Sequence, residues 1–152
     1  MSELVITKDL IFSQMQGDFS QIVHTVGKRL MEQNIVKESY PEAVIQREAE
    51  YPTGLCGKYG GFAIPHTYCE HCLRSALAVV RTNPPMRFTR MDDHSSTVDC
   101  GLIVMLAIAD AKEQLPMLRK LMKALQDEET FRILSSETKE ELVAQKLISA
   151  CQ

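Results

Sequence analysis

Apolar residues recur at helical spacing in two long stretches of the chain, with a run of strand-like segments between them. Phe19, Ile22, Val23, Val26 and Leu30 lie on one predicted helical face, behind Asp18 as a candidate N-cap. A second predicted helix starts at Ser39 and Glu42, which fit a capping box with Pro41 in the first turn, and runs to about Glu50. Near the C-terminus, Leu115, Leu118, Leu121, Met122 and Leu125 form another stripe, expected to be core, with a docking surface on part of it as the competing reading. Phe131 and Leu134 belong to a short helix, and Thr138 with Glu141 gives a second capping box before Leu142, Val143 and Leu147.

The middle of the chain reads differently. Residues 4–6 and 10–12 are short apolar pieces of one early strand, and 62–65, 76–82 and 86–88 read as three further short strands. Residues 100–108 are continuously apolar, as expected of a strand buried on both faces. Residues 51–61 hold four of the seven glycines and read as turn. The pattern predicts an α/β protein, a single domain over 1–152 with helices around a small sheet.

Composition narrows the function. The 152 residues include 45% hydrophobic and 24% charged positions, which places the chain among globular proteins rather than disordered ones. The net charge of -3 and the lack of a dense basic run argue against nucleic acid as a partner. Five cysteines, an odd number, together with no apolar segment after a basic start, predict a cytoplasmic protein with reduced thiols.

Candidate chemistry concentrates at residues 53–67. His66 follows Pro65, which ends a predicted strand and restrains the backbone on both sides of itself. Neutral imidazole is a nucleophile near physiological pH. Nearby glycines and the hydroxyls of Thr53 and Thr67 can offer donors to an anion. Arg47, in the last turns of the preceding helix, can clamp two phosphoryl oxygens with its planar fork. Taken together these residues suit phosphoryl transfer through histidine, although a histidine in this position is also a common structural residue.

Several pieces in order carry a resemblance: Arg47-Glu48, Tyr51-Pro52-Thr53-Gly54-Leu55, Phe62-Ala63-Ile64-Pro65-His66-Thr67, Phe88-Thr89-Arg90-Met91, the strand at 98–107, and Glu113-Gln114-Leu115-Pro116-Met117-Leu118. Over nearly its whole length the chain resembles the IIA proteins of the bacterial phosphoenolpyruvate-dependent sugar phosphotransferase system. These belong to the fructose–mannitol class, and the galactitol type is nearest. The resemblance implies a mixed five-stranded sheet flanked by helices, and a phosphocarrier with no cofactor or metal. It implies that His66 takes a phosphoryl group, on Nε2, from the histidine phosphocarrier protein and passes it to a cysteine of a IIB partner. IIB then phosphorylates the sugar as the membrane IIC component imports it. Arg47 corresponds to the family's active-site arginine, and Thr53 lies in the loop facing the phosphohistidine. Two departures stand out. Gln114 occupies the position of a second active-site histidine in mannitol-type members and cannot carry its charge. The spacer from Thr53 to His66 is a few residues longer than theirs.

Other readings compete. Relatives of this class use the same phosphohistidine as a regulatory signal without sugar transport. Cys69, His71 and Cys72, completed by Cys56 or His66, would make a zinc site on paper. A cysteine nucleophile paired with His66 or His71 has no supporting local signature. His24, on a helix beside apolar positions, is expected to be a packed or boundary residue, and His94 to lie in a solvated loop.

Overall fold

The computed structural model of the chain describes residues 3–152, and its layout follows from one apolar strand, Thr97–Ala107. Successive side chains of a strand face opposite ways, and here both sides are covered. Ile103, Met105 and Ala107 enter one hydrophobic cluster, whereas Leu102, Val104 and Leu106 enter a second.

The elements, in chain order, are β1 (Leu4–Val5), β2 (Ile11–Met15), α1 (Phe19–Glu32), α2 (Tyr40–Glu50), β3 (Gly54–Cys56), β4 (Gly61–Ala63), β5 (Ser75–Thr89), β6 (Thr97–Ala107), α3 (Ala111–Ala124), α4 (Glu128–Ser136) and α5 (Glu140–Ala150). The sheet order is β1-β5-β6-β4-β3, with β2 also on β5. β1 and β2 run parallel to successive stretches of β5, Leu4 facing Ser75 and Ile11 facing Val79. Among the described residues six strands therefore fill five positions; the two apolar pieces expected to form one early strand are two strands, separated by a 3-10 turn at Lys8–Leu10. β5 and β6 are antiparallel, β4 is parallel to β6, and β3 is antiparallel to β4, so the sheet is mixed.

Helices cover both faces. Ile22, Val23, Val26 and Leu30 of α1 and Val44 of α2 pack in the first cluster. Leu121, Leu134, Val143 and Leu147 of α3, α4 and α5 pack in the second. Asp18 caps α1 with a reciprocal capping box to Gln21. Among the described residues, no helix is long and apolar enough to cross a membrane.

Four further sequence expectations are corrected. The segments at 76–82 and 86–88 are one strand, β5, whose pairing with β6 shifts register between Arg81 and Met86; Pro84 and Pro85 in that gap have no N–H to give the ladder. The turn-rich stretch at 51–61 contains β3, which pairs Leu55 with Phe62 and Cys56 with Gly61. Ser39 does not cap α2 with its side chain, because its Oγ bonds Nδ1 of His71 at 2.8 Å. At α5 the N-cap is Lys139, without a side-chain cap bond, and Thr138 lies outside the cap position.

Three features aim the fold at residues 64–68. The Leu106 N–H on β6 donates to the Pro65 carbonyl at 3.0 Å. The Leu106 carbonyl accepts the hydroxyl of fully buried Tyr40, on α2, at 2.6 Å. One residue of β6 thus ties down both the strand end and the helix that carries Arg47. Gly61 lets β4 lie close to β6, since a Cβ there would overlap the Asp99 carbonyl and sit 2.8 Å from Val98. Gly61→Ala is expected to destabilise the protein by about 1–3 kcal/mol, the usual cost of overpacking against backbone. Urea denaturation would measure it, and a loss below about 0.5 kcal/mol would mean the two strands separate freely.

Candidate functional site

His66 is only 6% exposed. Its Nδ1 lies 2.8 Å from the Ile64 carbonyl, and a carbonyl only accepts, so Nδ1 carries the proton. Nε2 is then the nitrogen with the free lone pair. Burial lowers the His66 pKa, the Ile64 hydrogen bond opposes this, and the charge of Arg47 lowers it further. The result is a neutral imidazole with a fixed tautomer.

Arg47 comes from the last turn of α2. Its guanidinium carbon lies 5.0 Å from the Tyr51 ring centroid and 4.7 Å from that of Tyr68. The cation is held against two aromatic rings, an attraction that leaves its N–H edge available. Its Nε is buried without a hydrogen-bond partner. Among the described residues no carboxylate lies within ion-pair distance of it. A buried guanidinium donor without a partner is unusual in a folded protein. Arg47, His66, Tyr68, Cys69, Gln114, Leu115 and Leu118 line a single open depression.

Thr53 is buried, and its bonding differs from the sequence expectation. Its N–H and its hydroxyl both donate to the Glu48 carboxylate, at 2.8 and 2.7 Å. The same hydroxyl oxygen accepts from the Ile64 N–H at 3.2 Å. Its proton is committed, so Thr53 supports the Ile64 backbone and has no hydroxyl proton to offer an anion. Burial pushes the Glu48 carboxyl up to about 7, opposed by the Thr53 bonds and by Arg47. Gln114, near the start of α3, directs Nε2 at the Thr67 carbonyl at 3.4 Å.

Two of the residues singled out by the sequence, His66 and Arg47, share the depression; Thr53 sits behind it. Glu48, Tyr51 and Tyr68 are the residues that sequence reasoning missed as site components. Tyr51 was detectable, since it stands four positions after Arg47, the spacing at which side chains meet on a helix. The Leu115–Leu125 stripe divides: Leu121 and Leu125 are buried, but Leu115 is 55% exposed at the rim. The zinc set does not assemble. Among the described residues no cluster of three or more His, Cys, Asp or Glu could hold a metal ion, and His71 is bonded to Ser39. His24 is not packed but exposed, beside Glu42 at 3.0 Å, and His94 is exposed in its loop.

Residues 4–149 match the family described as phosphoenolpyruvate-dependent sugar phosphotransferase system, EIIA 2. The chain belongs to this family. As an EIIA component it is a phosphotransferase of the sugar phosphotransferase system. The galactitol-specific EIIA component of Escherichia coli K12 is 31% identical over 117 residues, covering 77% of each chain. The same holds for the protein of E. coli O157:H7. In fold, the EIIA chain is similar to E. coli enzyme IIAMtl in its complex with phosphorylated enzyme IIBMtl. That match has a TM-score of 0.75 at 21% identity, over 97% of this chain and 99% of that one. It is also similar to nitrogen regulatory protein IIA-Ntr of Neisseria meningitidis, with a TM-score of 0.67 at 21% identity over 95% of each chain.

Proposed function

We propose that this EIIA protein carries a phosphoryl group on Nε2 of His66. It takes the group from the phosphorylated histidine phosphocarrier protein and gives it to a cysteine of a IIB partner in the cytoplasm. IIB would then serve uptake and phosphorylation, through a membrane IIC component, of galactitol or a similar sugar alcohol. The observation that carries the reading is the buried neutral imidazole, locked as Nδ1–H by Ile64, beside the unpaired guanidinium of Arg47. The galactitol-specific relatives favour transport over a purely regulatory role. The complex of a IIA of this fold with a phosphorylated IIB supports the choice of acceptor.

The chemistry follows from these contacts. Nε2 attacks phosphorus as the donor's N–P bond breaks, and charge spreads over three equatorial oxygens in a loose transition state. Arg47 lines the same depression as His66, and a guanidinium fork can take two of those oxygens. The positive charge that develops on the ring is stabilised by Nδ1–H donating to the Ile64 carbonyl, and the proton stays on Nδ1. In the second step the Nε2–P bond breaks while an S–P bond forms on the partner's cysteine thiolate. Because the ring leaves as the same neutral tautomer, one arrangement serves both directions. Thr53 acts in this scheme through the backbone. Exposed Tyr51, Tyr68 and Leu115 give partners apolar contact area around the site, and aromatic side chains are enriched where proteins meet.

The test is reconstitution with phosphoenolpyruvate, enzyme I and the histidine phosphocarrier protein, followed by intact mass. One acid-labile phosphoryl group mapped to the His66 peptide supports the proposal, and an unmodified folded chain beside an active donor overturns it.

A pH prediction follows. The folded His66 pKa is depressed, so the neutral nucleophile persists as pH falls past the ordinary midpoint of about 6.5. At that pH His66 is expected to be more than half neutral, and its NMR titration midpoint should lie lower. A midpoint at or above the ordinary value would mean that burial does not control this ring.

A further inference from the structure

We propose that Glu48 is a positioning residue of the phosphoryl-transfer site: through Thr53 it fixes the Ile64 backbone that holds His66 in its Nδ1–H tautomer. The inference rests on the reading of His66 as the phosphoryl acceptor and extends it to a residue with no contact to the phosphoryl group.

The geometry is a directed chain. Both Glu48 carboxyl oxygens are used by one residue, Oε2 by the Thr53 N–H at 2.8 Å and Oε1 by the Thr53 hydroxyl at 2.7 Å. A hydroxyl has one proton and two lone pairs. With its proton sent to Glu48, Thr53 Oγ1 presents a lone pair to the Ile64 N–H at 3.2 Å. The Ile64 carbonyl then accepts Nδ1–H of His66 at 2.8 Å. Without the carboxylate the hydroxyl rotor loses the acceptor that sets its direction.

The position in the fold explains why the chain is needed. The β3–β4 ladder ends at the pair Gly54–Ala63, so Thr53 and Ile64 lie one residue past its last rung. The next residue, Pro65, has no N–H to bond. The Glu48–Thr53 unit therefore supplies one more rung, made of side chain, where the backbone ladder stops and the reactive histidine begins. Keeping a half-buried carboxyl here is costly, and burial pushes it up to about 7. A threonine bonded twice to one carboxylate would be an expensive way merely to close a hairpin. It is well suited to fixing the direction of a hydrogen bond.

The effect expected is on rate rather than on donor binding. Misplacing a reacting group by about 1 Å costs on the order of 10²-fold. Glu48→Gln puts an amide donor against one of the two Thr53 donors. It is expected to slow single-turnover phosphoryl uptake at saturating donor by about 10- to 100-fold, with the half-saturating donor concentration unchanged. Thr53→Val should reproduce the loss, and Thr53→Ser, which keeps the hydroxyl, should restore most of the rate. ¹⁵N spectra of the full-length protein should show the Nε2–H tautomer of His66 appearing in Glu48→Gln and Thr53→Val but not in Thr53→Ser. The proposal is overturned if folded Glu48→Gln, or folded Thr53→Val where the first variant fails to fold, keeps both the wild-type rate constant and the Nδ1–H tautomer. A lower melting temperature with both retained would assign the unit to hairpin stability alone and also overturn it. If the wild type itself takes no phosphoryl group, the functional reading fails. The tautomer comparison, made on unphosphorylated protein, then still decides the role of Glu48.

Discussion

Replacing His66 with glutamine is expected to abolish phosphoryl uptake while the chain stays folded. Glutamine approximates the reach of imidazole and keeps an amide donor for the Ile64 carbonyl, but it has no nucleophilic ring nitrogen. Loss of the atom that forms the covalent bond typically lowers the rate by 10⁴-fold or more, roughly the scale seen when a nucleophile is deleted from a covalent catalyst. The side chain is buried, so some stability is lost, on the order of 1–2 kcal/mol, within the ordinary range for a single substitution. Circular dichroism and a melting curve would separate this from unfolding. Intact mass after incubation with the phosphorylated donor should show no added phosphoryl group. A phosphoryl group arriving at a comparable rate in the folded variant would place the acceptor elsewhere. His71, in the adjoining turn, would be the first to map.

The parts of the fold legible in the sequence were those set by local periodicity. The α1 stripe behind Asp18 and the uninterrupted apolar run of β6 each have one physical explanation, and the structure follows it. β3 escaped because it is three residues long and starts at Gly54 in a segment rich in turn formers; its ladder exists only because β4 lies beside it. The capping box at Ser39 failed for a non-local reason: its hydroxyl found a partner 32 residues away in His71, which no short-range pattern encodes. The site divides along the same line. His66 and Arg47 are visible because one short motif and one helix end carry them, and the resemblance ties them together. Glu48 was hidden, since a glutamate in the last turn of a helix reads as solvated. Its importance appears only when the chain folds back and brings Thr53 and Ile64 to it. Which part of the Leu115–Leu125 stripe is exposed was likewise invisible: the stripe has one spacing, but only its second half has a sheet to pack on.

Removing the Arg47 side chain should leave the nucleophile in place and weaken the transition state. Arg47→Ala is expected to reduce phosphoryl uptake by about 10²- to 10³-fold, the loss that follows removal of one preorganised donor to developing charge. Arg47→Lys should recover only part of this. Lysine keeps the charge but not the planar fork that meets two oxygens at once, and it stacks less well between Tyr51 and Tyr68. A second readout separates two explanations for the loss. Arg47 lowers the His66 pKa, so the alanine variant should raise it and leave more of the ring protonated at acidic pH. Protonation would account for slow transfer at pH 6 but not at pH 8, where the imidazole is neutral in either protein. A deficit of the expected size that persists at pH 8 therefore assigns Arg47 to the phosphoryl oxygens. A deficit that vanishes there would reduce its role to tuning the histidine, and the orphaned Nε would need another partner.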